Sequence, residues 1–323
     1  PVTTTNALGQ KVSQRIDPLR GNVTSTFDLN GLEIKYIYGD DFRLLSVTDP
    51  NGVVSEIQKA LCDSSCPPNA VLSEKKSSKG MGYEVNYFDV IGRVVRTEKS
   101  LYRDRSSLED SVYDDLGRLK AVSVPYFKGE QPKFWTSFEY DERNRQSALN
   151  RPDGNREQVI FNGLVTTKID ALGHQSVYEK DARGLLLSVT NAIGETIRYS
   201  YDSSGQMQEM TDPEGNRTKF AYDIFGRRVY LSDKAVGEST TSFNALDQVS
   251  SETRAEIATE YSYDLLGRVL TKVTGSGDQA ISEFYSFDSA PHGIGLLATA
   301  KGPKSERTMN YDSLSRPEFI QQH

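Results

Sequence analysis

The chain has 323 residues, 36% of them hydrophobic, and a formal net charge of -7 from 38 Lys and Arg against 45 Asp and Glu. This acidic balance argues against nucleic-acid binding, for which a basic stripe is expected. No apolar stretch approaches the ~20 residues of a membrane-spanning helix, so no membrane span is predicted, and the first residues do not form a signal peptide.

The first turn signals follow one another at intervals of 10 or 11 residues. They lie at Asn6, Asp17, Asp28, Gly39 and Asp49. In an Asp-x-x-Gly tetrad, Asp suits the first position of a type I turn, where its carboxylate accepts a backbone N–H. Gly suits the fourth position, where φ is positive. Residues 1–52 are therefore predicted to be hairpin repeats, in which tight turns join short strands.

Residues 53–82 interrupt this rhythm and are predicted to be an insertion. Two cysteines within it, Cys62 and Cys66, are four residues apart, so a small disulfide, a metal site and two free thiols are the alternatives. No His lies near them in sequence, which disfavours a metal site. A disulfide is favoured and would imply an oxidising compartment at some stage. The best helical candidate of the chain, residues 55–61, also lies here.

Repeats resume at residue 83 and are predicted to continue to residue 323, with a longer loop at 125–135. Two series of turns share a period of 21 residues and interleave at 10 or 11. Their members are Asp181, Asp202, Asp223 and Asn244 in one series, and Asp170, Asn191, Asp212 and Asp233 in the other. A fixed period is the signature of a repeat architecture.

The residues before each turn alternate between aromatic or β-branched and polar types, as in Ile197, Tyr199 and Tyr201. Such alternation is typical of half-buried strands. About four turn residues in each half-period leave strands of roughly six or seven residues. The prediction is an all-β chain that forms an array of hairpins in a curved or spiralling antiparallel sheet.

No motif for chemistry accompanies the repeats. The sequence lacks a Gly-x-Ser-x-Gly elbow, a His-Glu-x-x-His helix and a phosphate-binding loop. Calcium is not expected, because calcium-binding glycine-rich repeats have a period of nine residues with Gly doublets. We therefore assign no catalytic, cofactor-binding or metal-binding residue and expect the chain not to be an enzyme.

Three hexapeptides carry a family resemblance. They are Tyr113-Asp114-Asp115-Leu116-Gly117-Arg118, Tyr222-Asp223-Ile224-Phe225-Gly226-Arg227 and Tyr263-Asp264-Leu265-Leu266-Gly267-Arg268. Each resembles the YD repeat of the RHS family, which includes bacterial RHS polymorphic toxins, the cocoon-forming B and C subunits of Tc toxins, and the teneurin barrel. The Tyr, Asp, Gly and Arg residues of the hexapeptides are the expected structural positions of the repeat.

The resemblance implies a sheet that spirals into a hollow shell, which in the toxins encloses a C-terminal toxic domain. The self-cleaving core signature of the family is absent from the sequence. The segment Asp212-Pro213-Glu214-Gly215 belongs to one of the two series with a 21-residue period and is therefore interpreted as a repeat turn. No autoprotease residue is therefore assigned. Because the chain starts with Pro1 and ends within a repeat, we expect a fragment of a longer protein.

The expected function is a non-enzymatic shell segment of a secreted toxin or delivery protein. Its expected partners are the rest of its own polypeptide or a second shell subunit, and a toxin cargo. The alternative is a surface module that binds glycans or a protein through exposed side chains of the sheet. Either function places the protein outside a bacterial cell or on its surface, with a specialised secretion system as one route.

Overall fold

The computed structural model describes residues 1–103 and 105–322, which form β-strands and one short 3-10 helix, Gly277–Gln279. The expected range 83–323 thus includes two residues, 104 and 323, outside the described part. The all-β class is confirmed, since neighbouring strands pair antiparallel. No helix among the described residues has the length and apolar character of a membrane span.

The strands are short and follow one another closely. The first ten are β1 (Val2–Thr5), β2 (Lys11–Ile16), β3 (Val23–Phe27), β4 (Glu33–Tyr38), β5 (Leu44–Thr48), β6 (Val54–Leu61), β7 (Leu72–Ser78), β8 (Gly82–Phe88), β9 (Val94–Ser100) and β10 (Ser106–Tyr113). The next ten are β11 (Leu119–Ser123), β12 (Tyr126–Phe127), β13 (Trp135–Tyr140), β14 (Gln146–Asn150), β15 (Arg156–Asn162), β16 (Val165–Ile169), β17 (Gln175–Lys180), β18 (Leu186–Thr190), β19 (Thr196–Tyr201) and β20 (Met207–Thr211). The last ten are β21 (Arg217–Tyr222), β22 (Arg228–Asp233), β23 (Gly237–Phe243), β24 (Val249–Arg254), β25 (Ile257–Tyr263), β26 (Val269–Thr274), β27 (Ile281–Phe287), β28 (Leu297–Lys301), β29 (Glu306–Tyr311) and β30 (Pro317–Gln322).

Contacts divide the chain into two compact units. One unit comprises residues 1–34 and 196–323, and the other comprises residues 35–195. Within each unit, strands pair with their neighbours in chain order, except that β11 pairs with β13 and the short β12 pairs with β10. Few side chains are buried, and the buried apolar ones among the described residues are Val85, Leu108, Ala148 and Ala298. Stability therefore comes mainly from the backbone hydrogen bonds between neighbouring strands and from contacts between adjacent turns.

The two interleaved series of turns differ in local geometry. Next to the turns that begin at Asp202, Asp223 and Asn244, the pairing register shifts by one residue, which marks a β-bulge. Next to the turns at Asp170 and Asp212 the register runs without a shift. A β-bulge increases the local right-handed twist of the strand that carries it.

Residues 53–82 supply two strands instead of leaving the sheet. Strand β6 pairs with β5 and, over seven residue pairs, with β7, so the interruption in the rhythm is confined to the loop at 62–71. The helix considered for residues 55–61 is wrong. The whole segment pairs with β7, and its first two residues also pair with β5. Leu61 is 85% exposed, so its spacing from Ile57 does not form a buried stripe.

In the first unit, a turn near the N-terminus contacts a loop near the C-terminus. The Asn30 side chain donates to the Ile294 carbonyl at 3.0 Å and accepts from the Ile294 N–H at 2.9 Å, across 264 residues of sequence. The Gln10 side chain also hydrogen-bonds Asp288. Asn30 thus pairs with the Ile294 backbone as a neighbouring strand would.

Candidate functional site

Each Tyr-Asp-x-x-Gly-Arg turn is held by its own carboxylate. At Asp114, the backbone carbonyl accepts from the Gly117 N–H at 2.9 Å, and Oδ1 accepts from the N–H groups of Leu116 and Arg118 at 3.0 and 2.8 Å. Oδ2 accepts from Arg118 Nε at 2.7 Å. Gly117 has a φ of 81°, where a side chain would be strained. The Asp carboxylate, the Gly backbone and the Arg guanidinium of the motif therefore each help to hold the turn.

The arginine and the aromatic residue connect successive turns. Arg118 lies over the ring of Tyr140, 4.5 Å from its centroid, and the Tyr140 hydroxyl donates to the Leu119 carbonyl at 2.8 Å. Arg93 lies over Tyr113 in the same way, at 4.4 Å. Each guanidinium is thus paired with a carboxylate and covered by an aromatic ring, which suits its planar, delocalised charge.

The same arrangement recurs at the other two hexapeptides. Arg227 pairs with Asp223 at 2.6 Å and lies 4.6 Å from the ring of Phe243. Arg268 pairs with Asp264 at 2.7 Å and with Asp288 of the following loop at 2.6 Å. Hydrogen bonds from Arg268 lower the pKa of Asp288 to about 2, against a partial burial that would raise it.

At some turns another residue takes the place of Gly. Asn144 and Asp247 occupy that position with a φ of 61° each, a conformation that Asn and Asp tolerate better than most residues. Their side chains accept from Nη1 of the preceding Arg118 and Arg227, at 2.6 and 2.5 Å. The 21-residue period predicts the turn that begins at Asn244, but the Asp-x-x-Gly pattern does not find the turn that ends at Asn144. The positive-φ preference of Asn is the signal that could have found it.

The two irregular loops meet in the second unit. The cysteine loop at 62–71 and the loop that follows β12 together line a cleft of about 770 Å³, to which Pro67, Gln131, Pro132 and Trp135 contribute. A smaller cavity of about 250 Å³ adjoins it and shares three lining residues, Pro67, Arg96 and Gln131. The two breaks in the repeat, 53–82 and 125–135, are separated by 42 residues, and nothing in the sequence places them together.

A buried charge network forms the floor of the smaller cavity. Glu98 is 3% exposed and accepts from Lys128 Nζ at 2.9 Å, Ser106 Oγ at 2.9 Å and the Tyr83 hydroxyl at 3.0 Å. Burial alone would raise the pKa of Glu98, but these hydrogen bonds outweigh it and keep the pKa below its ordinary value. The Glu98 carboxylate is therefore charged and accepts hydrogen bonds from the surrounding side chains, which suits a structural role.

An ion pair between Arg96 and Asp110 lies near Glu98, and Arg96 lines the same smaller cavity. Arg96 binds Asp110 through Nε and Nη2, at 2.5 and 2.8 Å, and the Tyr126 hydroxyl donates to the same carboxylate at 2.7 Å. Burial and this hydrogen bond raise the pKa of Tyr126 to about 12. Lys128 and Tyr126 come from the loop region and Glu98 and Arg96 from β9, so the network fastens the loop to the sheet.

Comparison with known proteins agrees with the repeat geometry. The RHS repeat profile matches residues 181–217, which include four successive turns, two from each series. Residues 181–217 therefore contain an RHS repeat. No curated protein sequence matches it.

Solved structures share the fold of this chain at low sequence identity. The crystal structure of TcdB2-TccC3 matches 99% of the chain at a TM-score of 0.62 and 13% identity. The crystal structure of TcdB2-TccC3-Cdc42 matches 99% of the chain at a TM-score of 0.62 and 11% identity. The crystal structure of TcdB2-TccC3 without its hypervariable C-terminal region matches 99% of the chain at a TM-score of 0.59 and 12% identity. The chain spans about a quarter of the length of these chains, 25% to 27%.

The structure places the residues that the sequence predicts to be structural positions of the repeat at or beside the turns. Asp114, Asp223 and Asp264 and their glycines and arginines lie in turns, with Tyr113, Tyr222 and Tyr263 at the preceding strand ends. Cys62 and Cys66 are joined by a disulfide with a Cα–Cα distance of 5.6 Å. No cluster of three or more His, Cys, Asp or Glu among the described residues has the geometry of a metal site.

Proposed function

We propose that this RHS chain is a wall segment of a shell that belongs to a secreted toxin or delivery protein and encloses a C-terminal cargo. The observation that carries the proposal is the agreement of fold with TcdB2-TccC3 along 99% of the chain. One of the matched crystal structures is described as lacking a hypervariable C-terminal region. A variable segment attached to a constant shell is the organisation that we propose here.

The contacts of the repeat support a non-enzymatic wall. The reactive groups of the motif bind one another: Asp264 and Arg268 form an ion pair at 2.7 Å, and the Tyr263 hydroxyl donates to the Val249 carbonyl at 2.7 Å. Side chains engaged in this way are not available as acids, bases or nucleophiles. A ladder that pairs every strand with its neighbours also leaves few unpaired backbone groups for a cargo to bind.

The proposed partners are the rest of the same polypeptide or a second shell subunit, and the cargo. We place the protein outside the producing bacterium, in the medium or on the cell surface, with export through a specialised secretion system. The alternative, a surface module that binds a carbohydrate or protein, needs a recess outside the repeat motif. The cleft beside Trp135 is a recess of this kind.

Limited proteolysis of the complete polypeptide tests the proposal. The sequence that follows the repeats should resist trypsin while the repeats are folded. It should become sensitive when Gly226→Val and Gly267→Val together disrupt two turns. The isolated C-terminal sequence is the control and should be digested rapidly. Equal digestion rates for the isolated sequence and the intact protein would contradict enclosure.

A further inference from the structure

The cleft between the two irregular loops has the composition of a carbohydrate site. Its volume, about 770 Å³, lies within the range of small-molecule sites. Trp135 lines one side, and Asn69 and Gln131 contribute side-chain amides. We propose that this cleft binds a neutral oligosaccharide.

The charges that line the cleft cancel. The charged lining residues are Asp89, Arg93, Arg96 and Asp110. Arg93 pairs with Asp89 at 2.7 Å and Arg96 with Asp110 at 2.5 Å, and the two carboxylates are 8% and 15% exposed. A site with two closed ion pairs offers no unbalanced charge to attract an anion or a cation. A ligand selected by this lining is neutral.

The lining nevertheless has unused capacity for hydrogen bonds. Arg93 and Arg96 each bind their carboxylate through Nε and Nη2, which leaves Nη1 without a hydrogen bond to the described residues. The amides of Asn69 and Gln131 likewise make no hydrogen bond within the described chain. Sugar hydroxyls both donate and accept, so they match guanidinium donors and amides together. An apolar ligand would cover these groups without satisfying them, at a cost.

The strands under the cleft exclude an extended peptide that binds by strand addition. Strand β9 pairs with β8 and β10, and β10 pairs with β9, β11 and β12. Within the described residues, β9 and β10 therefore each have a partner strand on both sides, so neither offers an open edge to a peptide. The Tyr113 ring is already covered by Arg93 at 4.4 Å, so Trp135 is the aromatic surface left for the apolar face of a sugar ring.

The walls of the cleft are held before a ligand arrives. Pro67 and Pro68 follow the Cys62–Cys66 disulfide, and Pro132 lies in the opposite loop. Proline fixes its backbone φ, and Lys128 anchors the second loop to the buried Glu98 at 2.9 Å. Rigid walls reduce the entropy lost on binding, which favours a weakly interacting neutral ligand.

Calorimetric titration of the chain with chitotriose, cellotriose, maltotriose and N-acetyllactosamine tests the proposal, with a heparin oligosaccharide as the anionic contrast. At least one neutral sugar should bind saturably. Gln131→Ala and Trp135→Ala should each weaken that binding by about tenfold or more. The matched controls are Lys133→Ala and Phe134→Ala, which alter neighbours that do not line the cleft and should bind as the unaltered chain does.

Three results would overturn the proposal. They are no binding to any neutral sugar at millimolar concentration, tighter binding to heparin, and full affinity in folded Gln131→Ala. If Trp135→Ala fails to fold by circular dichroism, Gln131→Ala decides alone, because this residue lies in an exposed loop. Sugar binding and cargo enclosure can each fail without the other, since proteolytic protection does not involve the cleft.

Discussion

Arg268 shows at the scale of one residue how a turn motif also joins neighbouring repeats. Its guanidinium binds Asp264 in its own turn and Asp288 in the next loop, and it lies 4.4 Å from the centroid of Phe287. Only 18% of the side chain is exposed. The planar fork of arginine is needed for these simultaneous contacts, since lysine offers a single point charge.

Arg268→Lys should therefore lower the free energy of unfolding by about 1–2 kcal/mol, measured by urea denaturation. Arg254→Lys is the control. Arg254 is 67% exposed and 3.9 Å from Glu252, so its replacement should change stability by less than about 0.5 kcal/mol. Equal effects of the two substitutions would mean that the contacts between turns contribute nothing.

Gly226 tests the backbone requirement of the turn. Its φ is 82°, and an added Cβ would lie 2.9 Å from Gln206 Nε2. Gly226→Val should destabilise the chain by about 1–2 kcal/mol, and Gly226→Asn should cost less because Asn144 occupies an equivalent position. Gly302→Ala, at a position without positive φ, should be neutral. Equal melting temperatures for the Val and Asn variants would refute the turn geometry.

The low pKa of Asp288 makes stability depend on pH. Its pKa falls from the ordinary 3.8 to about 2 in the folded chain, so its contribution is complete above 3.8 and disappears as the pH falls towards 2. Asp288→Asn should therefore melt at a lower temperature than the unaltered chain at neutral pH and at a similar temperature at about pH 2. A difference in melting temperature between the two proteins that stays constant from neutral pH to about pH 2 would contradict this role of Asp288 ionisation.

At the scale of elements, the sequence predicts the hairpins well because each turn is specified locally. Asp114 accepts hydrogen bonds from residues two and four positions further on, so the tetrad and its neighbours contain the necessary information. The strand β6 was harder to predict, since its pairing with β7 depends on residues far along the chain. The same reason explains why Glu98 and Lys128, 30 residues apart, were missed as partners.

The cysteine loop gives a prediction at this scale. Iodoacetamide should label neither Cys62 nor Cys66 before reduction and both afterwards, as measured by mass spectrometry of the denatured chain. Reduction should cost about 2 kcal/mol or less, because the closed loop is short. Labelling of both thiols in protein that was purified under oxidising conditions and never reduced would show that the disulfide does not form.

At the scale of the whole molecule, the repeat explains how 323 residues fold with few buried side chains. Each strand is stabilised by its neighbours, so stability is spread along the array. The contact of Asn30 with Ile294 adds a long-range restraint within the first unit. A local motif predicts the repeat but not this contact, which joins a tetrad to a longer loop 264 residues away.

The most direct test of the central claim is an electron cryomicroscopy structure of the complete polypeptide that contains this chain. We expect density for these strands within a continuous repeat wall, with the C-terminal segment inside and lacking a compact fold of its own. A C-terminal domain folded outside the repeats, or repeats that surround no segment of the chain, would contradict the account.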